Sequence, residues 1–189
     1  TIAAVGSAYE NGYKVTASHE GTNPYSGWEA FDANGDLVGW HSNDGSGSVI
    51  AYNGTDGLYS GTTRLATETE LGEWLGLELP EAIKLIDVQL VSQDYGPVVN
   101  TIDNFIVYAK KQPGDTWTSL GVFTGKAVFQ TSAAGVTVTV NAVDYYKFFA
   151  IVATKRNGGG TNTGVSIRDL AFYGHEEGDS SLDTTLKSV

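Results

Sequence analysis

The stretch GWEAFDANGDLVGW, residues 27–40, sets Asp32, Asn34 and Asp36 at alternate positions. Oxygen-bearing side chains at that spacing open a calcium loop, because calcium takes about six to eight oxygen ligands. Read alone, D-x-N-x-D is the start of an EF-hand. That reading fails at two positions. Leu37 stands where the sharp turn needs Gly, and Asn43 stands where a bidentate Glu closes the loop. No flanking segment has a helical period. An Asx-rich turn between two buried elements would use the same residues without metal, since Asp and Asn bond their own backbone in turns. Spacing alone leaves both readings open.

Other chemistries find little support. His19, His41 and His175 are scattered, and no H-E-x-x-H occurs. There is no G-x-S-x-G elbow. RNGGG at 156–160 lacks the helix a phosphate loop needs. Nothing marks a hydrolytic pair among the 22 acidic residues. An enzyme is therefore not expected. Asn53-Gly54-Thr55 fits a glycosylation sequon, a match that a chain rich in Gly and Asn produces by chance.

The elements that must position these residues follow from composition. A chain of 189 residues suits one domain. With 41% hydrophobic and 17% charged residues it is globular rather than disordered. Twenty-four glycines and 11% aromatics favour short strands joined by tight turns. The formal charge of −11 disfavours nucleic acid and anionic membrane surfaces as partners. No apolar run approaches the ~18 residues of a membrane span, so membrane insertion is not expected. Without Cys there is no disulfide framework. Met is absent and the chain starts Thr1-Ile2, so a processed product or a piece of a longer protein is expected.

Strands are predicted at 13–18, 73–80, 83–93, 101–111, 116–123, 136–142, 146–155 and 166–174. Leu75, Leu77 and Leu79 share one face, as do Phe105, Val107 and Ala109, and Val136, Val138 and Val140. Eight short strands with turn signals between them predict an all-β sandwich or jelly roll. After Gly174 the chain turns polar and acidic. Residues 1–174 are therefore read as the domain, and 175–189 as a linker or tail.

YKVTAS, GWEAFDANGD…GWHS, GEWLGLELPEAIKL and NTGVSIRDLAFYG occur in the order found in coagulation-factor type C, or discoidin-like, modules. The chain resembles their carbohydrate-binding branch, carbohydrate-binding module family 32, over roughly residues 13–174. The resemblance implies an antiparallel eight-stranded jelly-roll β-sandwich, galactose-binding-domain-like. It implies a structural calcium ion at the opening stretch, with the carbonyl of Glu29, the carboxylate of Asp32 and the acid Asp169 on the last strand as ligands. Val38 and Gly39 stand where the family carries Thr or Ser, and Asp36, beside Asn34, is the candidate replacement. It further implies that Trp28, Trp40 and Trp74 are core residues; Trp117, at a strand start, could be core or platform.

In the family the ligand sits on loops at one end of the jelly roll. The matching loops here are SHEGTNPYSG, SQDYGPVVN and KRNGGGTNTG. They offer His19, Asn23, Tyr25, Gln93, Asp94, Tyr95, Arg156 and Asn157. An aromatic ring for the apolar face of a pyranose, with polar groups for its hydroxyls, is the composition a sugar site needs. The expected function is non-catalytic glycan binding, as an adhesion or targeting module of a larger extracellular or surface-exposed protein flanked by further domains. The alternatives are a structural or interaction module of an assembly (virion fibre, extracellular filament or surface array) and an appended domain of a glycoside-active enzyme.

Overall fold

The leucine alternation of 73–79 and the apolar run that follows it form one strand. In the computed structural model, which describes residues 9–21, 25–32, 38–42, 51–92, 100–126, 135–157 and 164–179, this strand is the organising element. The strands are β1 (Tyr9–Glu10), β2 (Tyr13–Ala17), β3 (Trp40–His41), β4 (Glu73–Val91), β5 (Ile102–Lys110), β6 (Thr118–Phe123), β7 (Val136–Thr139), β8 (Tyr146–Arg156), β9 (Ser166–Ile167) and β10 (Asp169–Glu176). A 3-10 helix covers Gly27–Phe31. All pairings are antiparallel.

β4 belongs to both layers of the sandwich. Its first half lies between β2 and β8, in the order β1-β2-β4-β8-β5-β6. Its second half lies between β10 and β7. The changeover is at Pro80. Pro has no N–H to give a ladder, and the β8 pairing skips from Glu78 to Ile83. Sequence reading expects two strands here because the breaker is visible and the continuity is not. Further on, Ile86 is an extra residue in the β10 ladder: Tyr173 faces Asp87 and Gly174 faces Leu85. Such a bulge flips the inward parity. Leu75, Leu77, Leu79 and Leu85 point into the core before it, and Val88 and Leu90 after it.

The core also takes Phe105, Val107, Ala109, Phe149, Ile151, Trp28, Phe31 and Trp40. β8 reads as an unbroken apolar run because both of its faces are covered. Ala150 and Val152 turn outward to a second cluster with Leu65, Ile106 and Tyr108. Trp74 and Trp117 pack on that outer cluster, half-buried. Trp74 is thus a framework residue, on the face opposite to the main core. β1 and β2 are joined by Asn11-Gly12, both at positive φ (51° and 83°), the conformation a two-residue hairpin turn requires. β7 ends at Thr139, and Asn141, at φ 53°, turns the chain away.

Candidate ligand-binding site

The end of the sandwich where β2 finishes and β4 begins gathers a polar network. Glu73 opens β4 and is fully buried, with 0% of its surface exposed. A buried carboxylate is costly unless donors surround it. Ser18 Oγ donates to Glu73 Oε2 at 2.6 Å and the Tyr59 hydroxyl to Oε1 at 2.8 Å. His19 Nδ1 lies 2.8 Å from Oε2. The Tyr52 hydroxyl, which donates to Ala153 O at 2.9 Å, accepts from Glu73 N–H at 3.4 Å. The Tyr52 and Tyr59 rings meet edge-on at 5.0 Å.

Burial pushes the Tyr59 phenol up to about 12. Burial, and next the charge of Glu73, push Tyr52 well above its ordinary value. Both hydroxyls keep their hydrogens at neutral pH.

His19 is also held by its backbone, since Trp40 Nε1 donates to His19 O at 2.7 Å. The loop after it is bound to β3: Gly21 N–H donates to His41 O and His41 N–H to Tyr25 O. The Tyr25 ring tilts against His41 with centroids 5.2 Å apart. Tyr25 is exposed, and 39% of the His19 side chain is exposed. The structure therefore brings His19 and Tyr25 to one end, beside His41.

Arg156 and Asn157 end β8. Arg156 is fully buried, and burial holds its guanidinium below the ordinary value while the nearby Tyr52 opposes that shift. The loop 51–60 lies over it, with Arg156 N–H donating to Gly57 O at 2.9 Å. Gly57 is at φ 74°, and a Cβ there would stand 2.2 Å from Arg156 O, so only glycine fits this crossing. Asn157 is half-buried, its N–H on Thr101 O. Asn23, Gln93, Asp94 and Tyr95 lie outside the described residues. Sequence reasoning places His41, directly after Trp40, at the border of a site, and gives Glu73, Ser18, Tyr52 and Tyr59 no role in it. The available signal was a lone Glu opening a leucine-rich strand.

Of the expected metal loop, residues 33–37 lie outside the described residues. Glu29, within the 3-10 helix, and Asp32, just after it, are both buried, and the helix packs against β10. Asp169 opens β10 and pairs with Arg168 Nε at 2.8 Å. A buried carboxylate such as Asp32 suits a hard cation, whereas the Arg168 contact already engages Asp169. Among the described residues no three His, Cys, Asp or Glu side chains converge. Asn34 and Asp36 lie outside the described residues. Between β2, β4 and β10 lies a cleft of about 520 Å³, lined by Tyr13, Phe31, Leu79, Ile83 and Phe172 with Asp169 at its edge. It lies at the other end of β2 from His19.

No family model matches the sequence, and no curated protein matches it. Solved structures do match. The family 32 carbohydrate-binding module of NanJ from Clostridium perfringens, in complex with galactose, is 18% identical with a TM-score of 0.56, over 85% of this chain and 92% of that one. CpGH89CBM32-5 from Clostridium perfringens, in complex with GalNAc-β-1,3-galactose, is 15% identical with a TM-score of 0.58, over 86% and 95%. The C-terminal domain of a chitobiase from Bacteroides fragilis is 17% identical with a TM-score of 0.59, over 88% and 95%. At these identities the likeness is one of fold. The chain is an antiparallel β-sandwich of the kind seen in family 32 carbohydrate-binding modules.

Proposed function

We propose that this chain is a non-catalytic carbohydrate-binding module, and that its ligand end is the one formed by the 19–25 loop, β3 and the start of β4. The observation that carries this reading is the placement of His19 and Tyr25 on one exposed end of the sandwich, backed by the buried Glu73 network. An exposed ring beside fixed polar groups is what a pyranose requires, with its apolar face and its fan of hydroxyls. Similar structures carry galactose and a galactoside, which makes those sugars the first probes. Similar folds also occur as parts of glycoside-active enzymes, so the larger protein is read as one of these, working outside the cell. The calcium ion belongs to the proposal: Asp32, Asp169 and the Glu29 carbonyl are its candidate ligands, with Asn34 and Asp36.

The test is a calorimetric titration with galactose and GalNAc-β-1,3-galactose. Binding on the order of 1 mM or tighter is expected, about −4 kcal/mol or better. Tyr25→Ala should weaken it about tenfold, the scale of one aromatic contact. Absence of binding to these sugars and to a broad glycan array would defeat the reading.

A further inference from the structure

We propose that Glu73 is a positioning residue that fixes the His19 ring as a hydrogen-bond acceptor toward the ligand. The inference rests on the glycan reading and deepens it, because it states what the ligand must present there: a hydroxyl that donates.

The direction of each hydrogen bond can be worked out from the network. Ser18 Oγ accepts the Trp74 N–H at 2.9 Å, and of the two acceptors in reach of its own hydrogen, Glu73 Oε2 at 2.6 Å is closer than Trp74 O at 3.2 Å. The Tyr59 hydroxyl accepts the Thr63 N–H at 3.2 Å, so its hydrogen too is directed at Glu73. Glu73 thus accepts at both oxygens. His19 Nδ1, 2.8 Å from Oε2, can only meet such a group by donating. A neutral imidazole has a single ring hydrogen, so Nε2 keeps its lone pair. With the His19 carbonyl held by Trp40 Nε1, ring and backbone are both fixed. The raised Tyr59 phenol remains a donor throughout the neutral range. A sugar hydroxyl can donate to a lone pair on Nε2, whereas a fluorine in its place cannot.

Nitrogen-15 spectra of the whole wild-type chain, recorded as pH is raised until the His19 signals stop moving, report which ring nitrogen carries the hydrogen of the neutral ring. The expected result is a protonated Nδ1 and a bare Nε2 on His19. Glu73→Gln, whose amide can donate or accept, should lose that preference. Ser18→Ala and Tyr59→Phe keep the carboxylate and should retain it, which guards against a Glu73 variant that fails to fold. A wild-type His19 with its hydrogen on Nε2 overturns the proposal. In the binding arm, one monofluorinated galactose should lose about tenfold or more in affinity relative to galactose. If galactose binds and every fluorinated sugar binds equally well, the acceptor role is wrong. If the Nδ1–H form is present and neither galactose, GalNAc-β-1,3-galactose nor a broad glycan array shows binding, the positioning stands and the glycan reading falls.

Discussion

Glu73 is the residue on which this end of the sandwich depends. It has no exposed surface and three side-chain hydrogen-bond partners, two of them, Ser18 and Tyr59, hydroxyl donors. Glu73→Ala should leave those donors without their acceptor and lower stability by about 3 kcal/mol, read from urea unfolding. A surface acid such as Glu81 replaced by Ala should change it by well under 1 kcal/mol. The tyrosines add a pH dependence whose sign is fixed. In the unfolded chain a tyrosine ionises near 10, whereas Tyr59 in the fold holds its hydrogen to about 12. As pH rises through that window the unfolded chain loses its proton first, and unfolding is favoured. The contribution is therefore whole below about pH 10 and gone above about pH 12, which urea midpoints at stepped alkaline pH will follow. Tyr52, shifted in the same direction, adds to it.

At the scale of elements, β8 is the instructive case. Its apolar run was legible as burial. The reason, a second cluster on the far face of the sheet, was not, because Leu65 comes from a loop distant in sequence and Trp117 from a strand start. Val152→Ala should cost about 2 kcal/mol, comparable to truncating a main-core residue, since both faces of the strand are dry. A solvent-facing valine would lose far less. Gly57→Ala should cost about 1–3 kcal/mol, for it combines a positive φ with a clash against Arg156 O. The alternation of Leu75, Leu77 and Leu79 predicted their common face correctly. The turn of parity at Ile86 could not be read from sequence, because a bulge is defined by the partner strand. The same holds for Glu73. Its neighbours Ser18, His19 and Tyr59 arrive from other segments, and only the fold brings them together.

Over the whole molecule, order of motifs carried more than any single motif. Four short stretches in sequence order pointed to the sandwich that the structure has, whereas the D-x-N-x-D spacing by itself pointed to a different calcium fold. Arg156 shows the limit at the site: loop composition suggested an exposed group, and the fold buries it completely. The calcium proposal is a matter of the whole fold, because Asp32 and Asp169 are far apart in sequence. With a net charge of −11, neutralising buried Asp32 should stabilise the chain. Saturating calcium should raise Tm, by a free energy of about 2.7 kcal/mol at a hundred times Kd, and a chelator should reverse it. An unchanged Tm on chelation would remove calcium from the account.

The sharing of β4 between both layers has a mechanical consequence. β2 enters the sheet at Tyr13, close to the bend at Pro80, and β10 leaves the sheet at Glu176, opposite Ile83 on the far side of that bend. A load applied through these two points is carried across the middle of β4 and does not run through the His19 end. Pulling on Glu176 peels β10 from β4 one pair at a time, beginning at Ile83, instead of shearing the whole ladder at once. Under tension between these two points the first element to yield is therefore the last strand, while the Glu73 network at the His19 end is still intact.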